Sequence, residues 1–251
     1  MSRTSVILEN ECKKFFKWTT QEDKDGKITG ATFQYWDKEN QKNVEAKLPF
    51  TFALLDDSCM TIKGYNEKTG QGVYSNEVNH PDHQLVIKSN KETLLKFKRS
   101  DYKANKDAIE GFGGKYHQSV YGAMFNGEIY ELINLQIKGA ALTGAVDESN
   151  PEDDDKNAGW MNFKKFFKTK LYSNMITIKD YKLRKKGKTR FTTPLFEVGS
   201  EISKEQSKIF DNMDIALKGW FKYYFNLGKV DNVATPTPVN AYAEELPFDK
   251  D

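Results

Sequence analysis

Short segments rich in aromatic and β-branched residues, separated by polar turns, fill the first 65 residues of the chain. This pattern is typical of strands, and Asp25-Gly26 is a strong reverse-turn signal between the first two. Pro49 is expected to interrupt or end the third, because proline cannot donate a hydrogen bond to a sheet. The predicted strands are 13–20, 28–36, 44–55 and 60–65. Together they predict an antiparallel meander, the usual opening of a small β-barrel.

The middle of the chain combines short strands, a helix and a long hairpin. The predicted segments are strands 73–78 and 84–88, a helix 100–111, and a hairpin of strands 115–125 and 128–138. Ser100 or Asp101 is the expected helix cap, and Asn126-Gly127 is the strongest kind of short hairpin signal. The glycine-rich stretch 111–114 is not a phosphate-binding loop, because no Gly-Lys-Ser/Thr follows and the next residues predict a strand.

A helix, a second hairpin and a long helix are predicted after residue 155. The first helix carries apolar residues at helical spacing, namely Trp160, Phe163, Phe167 and Leu171. This spacing indicates that these side chains are buried. The hairpin consists of strands 174–182 and 189–198, joined by the basic turn RKKGK. The long helix begins at a capping box formed by Ser203 and Gln206 and ends near Phe225.

The last segment, residues 231–251, lacks the periodicity of a helix or a strand and contains Pro236 and Pro238. It carries five acidic residues and one lysine, whereas the rest of the chain is net basic. Such a segment cannot bury enough apolar surface to offset its ordering entropy. We therefore expect a single domain, residues 1–228, followed by a flexible acidic tail, residues 229–251.

Composition limits the class of protein. The 251 residues are 38% hydrophobic and 29% charged, with a mean hydropathy of −0.72. No apolar run reaches the roughly 18 to 20 residues that cross a bilayer, and the first residues lack the features of a secretory signal. A cytoplasmic location is therefore expected, without contact with a membrane. Cys12 and Cys59 do not form a disulfide framework and are expected to be buried thiols.

Aromatic residues make up 13% of the chain, and many stand directly beside lysine or arginine. Residues 156–190 hold twelve basic residues against one acid. A groove for single-stranded nucleic acid requires this combination, since cations track the phosphates while rings stack on unpaired bases. The predicted contacts are Trp18, Tyr35, Lys115, Tyr121, Lys138, Arg184, Lys185, Lys186, Lys188 and Arg190. For each of these residues an alternative remains open, in which the aromatic rings fill the core and the lysines only cover the surface.

Two stretches resemble known DNA-binding proteins. The ending EELPFDKD resembles the acidic C-termini, with an LPF or IPF motif, of bacterial and phage single-stranded DNA-binding proteins. The resemblance implies that the tail recruits replication or recombination proteins through Glu244, Glu245, Leu246, Pro247, Phe248 and Asp249. In the bacterial proteins the phenylalanine is the final residue, whereas here three residues follow Phe248.

The second resemblance lies within the predicted domain. GGKYHQSVYGAM followed by INLQIKGAAL, and LPFTFALLD followed by IKGYN, are similar to tailed-phage proteins regarded as single-stranded DNA-binding proteins. This resemblance implies a mainly β (α+β) fold: an OB-type antiparallel β-barrel with insertions and a C-terminal helix. It also implies a role in phage DNA replication or recombination, in the cytoplasm of the host.

Other functions compete with this hypothesis. Six acidic residues lie between 147 and 155 and would suit a metal-dependent nuclease, and His80 and His83 form an HxxH pair. The acidic stretch lacks the spacing of a calcium loop, and the HxxH pair lies in a proline-containing loop without a cysteine nearby. No catalytic constellation is recognisable. We therefore predict a non-enzymatic protein without cofactor or metal. A phage assembly protein and an RNA-binding protein remain alternatives, and the oligomeric state stays open.

Overall fold

The structure is a computed structural model that describes residues 8–144 and 155–227. In these ranges the chain is mainly β and ends in a long helix. The strands are β1 Lys14–Glu22, β2 Ile28–Asp37, β3 Lys42–Glu45, β4 Phe50–Asp56, β5 Met60–Asn66, β6 Gln71–Ser75, β7 Gln84–Ser89, β8 Glu92–Lys98, β9 Gly114–Phe125, β10 Tyr130–Ile137, β11 Asn174–Lys186 and β12 Thr189–Glu201. The α-helices are α1 Tyr102–Gly111, α2 Gly139–Thr143, α3 Trp160–Phe167 and α4 Lys204–Leu227. The predicted tail lies outside the described residues.

All of these strands belong to one sheet. Its main path is β3-β2-β1-β10-β9-β5-β6-β7-β8, and β4 pairs with both β9 and β11, which in turn pairs with β12. The pairings are antiparallel except between β1 and β10, which run parallel. The expectation of a purely antiparallel sheet is therefore wrong at this pair.

Strand β4 corrects the predicted meander. β1, β2 and β3 are consecutive neighbours, but β4 pairs with β9 and β11 rather than with β3 or β5. Its residues Phe52, Ala53, Leu54 and Leu55 are all buried, on both faces of the strand. Burial of both faces is typical of a strand in the interior of a sheet rather than at its edge.

The sheet separates two cores. The inner core contains Phe16, Phe33 and Phe52 from the strands, and α3 adds Trp160 and Phe163. The opposite face is covered by α4, whose Phe210, Leu217 and Phe221 pack on Tyr121 and Ala123 of β9. A third core lies between β5, β6, β7 and α1. Cys12 and Cys59 are free thiols in the core beneath α4, and burial raises the pKa of each.

The branch formed by β4, β11 and β12 brings β12 back to β1 on the main strand path. On β12, the Thr192 hydroxyl accepts a hydrogen bond from Trp18 Nε1 at 3.0 Å and lies 2.7 Å from the Thr20 hydroxyl of β1. These contacts are made by side chains, and no backbone pairing joins β12 to β1 or β2 in the described residues. The structure thus establishes a curved mixed sheet with a C-terminal helix.

Two elements escaped the sequence analysis, namely β8 and α2. β8 lies at the end of the strand path, and its sequence ETLLKFK is mostly exposed or half-buried, so its pattern resembles a polar loop.

The predicted capping box of α4 is confirmed: Gln206 N–H donates to Ser203 Oγ at 3.2 Å, and Ser203 N–H donates to Gln206 Oε1 at 2.9 Å. At the other end of α4, Tyr224 Oη accepts a hydrogen bond from the backbone N–H of Glu77 at 3.1 Å.

The contact between β5 and the start of β9 leaves no room for a side chain at Gly64. A methyl group there would overlap the carbonyl oxygen of Gly113. We expect Gly64→Ala to lower the free energy of unfolding by about 1 to 3 kcal/mol, measured by urea denaturation. Gly111→Ala is the control, since a methyl group at Gly111 meets no atom within 4 Å. Equal stability of Gly64→Ala and the unmodified protein would contradict this packing.

Candidate nucleic-acid interface

The turn end of β11 and β12, residues 184–190, is here named the basic hairpin. Lys186 pairs with Thr189 and Lys185 with Arg190 across a two-residue turn, in which Gly187 has a φ of +57°. Four of the predicted contacts, Lys185, Lys186, Lys188 and Arg190, are exposed here. None of the four forms an ion pair with a carboxylate of the described ranges. The hairpin therefore presents positive charge that no carboxylate of the described residues pairs with.

Arg184 requires a correction. Its side chain is only 1% exposed, so it does not offer its guanidinium group to an external phosphate. Successive residues of a strand point to opposite faces, which puts Arg184 on the other side from Lys185 and on the same side as Lys182. Lys182 forms an ion pair with Asp155 at 3.6 Å. Arg184 therefore belongs to the interior of the hairpin rather than to its charged surface.

Trp18 and Tyr35 stand at the rim of the inner core, and both are half-buried. The Trp18 ring packs edge-on against Phe33 at 5.0 Å between centroids, and the Tyr35 ring packs in the same way on Phe16 at 5.0 Å. The hydrogen bond from Trp18 to Thr192 ties this rim to β12, two residues from Arg190. The Trp18 ring thus lies beside the strand that leads to the basic hairpin, whereas the Tyr35 ring has the Lys14 amino group 5.4 Å from its centre.

Tyr121 is not available for stacking, which corrects the prediction for this residue. It is 1% exposed, its hydroxyl donates to Glu77 Oε2 at 2.7 Å, and its ring contacts Phe221 of α4 edge-on at 5.2 Å between centroids. Tyr121 lies on the side of β9 that α4 covers. A base cannot reach the ring without displacement of the helix.

Lys115 and Lys138 are exposed, on the face of the sheet opposite to Trp18. Directly paired residues point to the same side of a sheet. The pairs on this side are Lys17 with Gln136, Gln136 with Ser119, His117 with Thr61, and Lys115 with Lys63. We name the four lysines on this side, Lys17, Lys63, Lys115 and Lys138, the lysine face. The predicted contacts are therefore divided between two surfaces.

Lys63 is a functional candidate that the sequence analysis missed. It is half-buried, and its amino group donates to Gln136 Oε1 at 2.9 Å across β9. Burial and the nearby charge of Lys17 lower its pKa to about 8. His117, two positions before Ser119, has its pKa lowered to about 3 by burial and then by Lys138. The lysine face is therefore a region in which several cations act on one another.

Helix α3 adds a second feature that was missed. The predicted core positions Trp160, Phe163 and Leu171 are buried, as expected. Phe166, however, is 48% exposed, with the Lys165 amino group 5.3 Å from the centre of its ring. Because Phe166 lies three residues after Phe163, helical spacing alone would place it near the same face, so its exposure depends on how α3 packs.

Within residues 8–144 and 155–227, no group of three or more histidine, cysteine, aspartate or glutamate side chains could hold a metal ion. His80 is exposed, with a ring centroid 5.6 Å from that of His83. Of the acidic stretch 147–155, only Asp155 is described, and it contacts Lys182. The other acids, and the tail residues Glu244 to Asp249, lie outside the described part.

No described helix is long and apolar enough to span a membrane.

Comparison of the chain with models of protein families, with curated proteins and with solved structures gives no match. The function is therefore inferred from the chain's own residues and from the resemblances in its sequence.

His117 generates a testable pH dependence. Its pKa in the folded state is about 3, against an ordinary value of 6.5, so the unfolded state binds more protons between these values. Stability is therefore lost as the pH falls below about 6.5, with a slope of up to about 1.4 kcal/mol per pH unit. We expect His117→Gln to remove this contribution, as measured by urea denaturation between about pH 7 and pH 5.

The matched control is His80→Gln, which replaces an exposed histidine. Its stability is expected to follow that of the unmodified protein at each pH. If the curves of His117→Gln and the unmodified protein ran parallel, the buried neutral histidine would be refuted.

Proposed function

We propose that this protein binds single-stranded DNA without strong sequence preference and has no enzymatic role in doing so. The observation that carries the proposal is the basic hairpin, whose four exposed cations lack carboxylate partners in the described residues and which extends from β12, the strand that Trp18 contacts at Thr192. Cations at this position would neutralise successive phosphates. Trp18 and Tyr35 would stack on unpaired bases, each contact being worth about 1 to 3 kcal/mol.

Single strands are favoured over duplex by the form of this surface. A ring that is held edge-on by the core and open on one side can accept an unstacked base, whereas a base in a duplex is already stacked on its neighbours. No groove of the size of a duplex is required for such contacts. Backbone charge and stacking are both independent of sequence, which is the reason for the expected lack of base preference.

We also propose an OB-type barrel for the curved part of the sheet. The path β12-β11-β4-β9-β10-β1-β2 curves along the inner core, and β12 at one end of it contacts Trp18 of β1, the strand next to the other end. OB-type barrels bind oligonucleotides on an outer strand face and on adjoining loops. The basic hairpin is such a loop, which joins β11 and β12 at one end of this path.

The acidic tail is assigned two roles in this proposal. Its carboxylates compete with DNA for the cationic surface, and the segment Glu244 to Asp249 recruits replication or recombination proteins. The support is the charge difference between the tail and the rest of the chain, together with the resemblance of EELPFDKD to the tails of single-stranded DNA-binding proteins. The biological setting would be phage DNA metabolism in the host cytoplasm.

The direct test is fluorescence anisotropy with labelled oligothymidine, the matching duplex and an RNA strand of the same length, over a series of salt concentrations. We expect the single strand of DNA to bind more tightly than the duplex, with a steep dependence on salt. A chain that ends at Lys229 is expected to bind more tightly than the full chain, because five acids and one lysine are removed.

Equal binding of single strand and duplex, or binding of neither, would refute the proposed function and favour an assembly protein. Preference for the RNA strand would move the substrate from DNA to RNA. Unchanged affinity after truncation would refute the competition by the tail while leaving the DNA surface in place.

The basic hairpin can be tested separately. Replacement of Lys185, Lys186, Lys188 and Arg190 by glutamine is expected to reduce the slope of log affinity against log salt by about 3, at about 0.7 per phosphate contact. The control has the same change in charge elsewhere, by replacement of the exposed Lys91, Lys96, Lys103 and Lys106. Equal slopes for the two variants would show that the hairpin makes no special contribution.

A further inference from the structure

Helix α3 and the residues that follow it carry positive charge outside the basic hairpin. Residues 156–173 include five lysines and no acidic residue. Lys164 forms an ion pair with Asp57. The other four are exposed and form no ion pair with a carboxylate of residues 8–144 or 155–227, namely Lys156, Lys165, Lys168 and Lys170. A surface of this kind attracts a polyanion.

Large apolar side chains lie exposed among these lysines. Phe166 is 48% exposed and Met161 is 56% exposed, although Phe163 on the same helix is completely buried. The amino group of Lys165 lies 5.3 Å from the centre of the Phe166 ring. An exposed ring beside a cation combines the two contacts that an unpaired nucleotide offers, because the base stacks on the ring and the phosphate attracts the cation.

The start of α3 is attached to β12, the strand that leads to the basic hairpin. Ala158 forms an isolated bridge with Leu195, and Trp18 contacts Thr192 on the same strand. A strand rises about 3.3 Å per residue, so Leu195 lies about 17 Å from Arg190 in the hairpin. The basic hairpin, the Trp18 ring and the start of α3 therefore follow one another along β12.

We propose that Lys165, Phe166 and Lys168 extend the DNA surface, so that a single strand runs from the basic hairpin past Trp18 to α3. This inference rests on the proposed function and adds one base-stacking position and two phosphate contacts to it. An eight-residue helix is about 12 Å long, so the whole path is roughly 30 Å. OB-type domains bind about 4 to 16 nucleotides, and a path of this length belongs to the longer sites.

The test uses the full chain and labelled oligothymidine of about 16 nucleotides in fluorescence anisotropy. Phe166→Ala is expected to weaken binding about fivefold or more, because one stacked base is lost. Phe166→Tyr keeps an aromatic face and is expected to retain the affinity. The matched control is Ile215→Ala, which shortens an apolar side chain of α4 that is 67% exposed. Equal affinity of Phe166→Ala and the unmodified protein would overturn the proposal and leave α3 to a protein partner.

The phosphate contacts are tested by a double variant, Lys165→Gln with Lys168→Gln. It is expected to reduce the slope of log affinity against log salt by about 1.4, at about 0.7 per contact. The control carries the same change of charge at two exposed lysines elsewhere, Lys96→Gln with Lys103→Gln, and is expected to keep the slope. Equal slopes for the two double variants would contradict phosphate contacts at α3.

Photo-crosslinking locates the strand directly. Oligothymidine with iodouracil in place of one thymine is irradiated on the full chain, and the linked peptides are identified by mass spectrometry. We expect a crosslink to the peptide that contains Phe166, in addition to one that contains Trp18. Crosslinks to Trp18 without any on α3 would overturn this inference while leaving the proposed function in place. If the unmodified protein bound no single strand, the proposed function would fail, and this inference with it.

Discussion

The structure depends on the burial of both faces of β9. Val120 points into the inner core, and the next residue, Tyr121, points into the core beneath α4. Along one edge β9 pairs with β10, and along the other it pairs first with β5 and then with β4. One strand thus fixes the relative position of three cores. A change in its register by one residue would exchange the two sets of side chains and expose both.

This constraint also separates the two charged surfaces. Because β9, β10 and β1 have one side in the inner core, Lys17, Lys63 and Lys115 lie on the other side of the sheet. The rings at the rim and the basic hairpin belong to the opposite side and to the end of the curled sheet. A ligand at one surface therefore does not compete for the residues of the other. The number of cations in the sequence does not reveal this division.

The local elements were largely predictable, because hairpin turns, a capping box and helical spacing are properties of neighbouring residues. Alternation also gives the relative face of Lys115 and Tyr121, and it would have separated Arg184 from Lys185. Three facts were not accessible: that α4 covers Tyr121, that β4 leaves the meander, and that Lys63 reaches Gln136. Each depends on a contact between residues far apart in the chain, which single-sequence patterns do not encode.

The parallel pairing of β1 with β10 also determines the order in which the chain can fold. Lys14 to Lys17 find their partners only at Ile133 to Gln136, so the first hairpin lacks its neighbour until more than half of the chain has been synthesised. Closure of such a long loop costs entropy before any contact is gained, which makes the step slow. Until then the apolar side of β1 and β2, with Phe16 and Phe33, is open to other chains. The N-terminal hairpin is thus the part of a nascent molecule that benefits most from a chaperone.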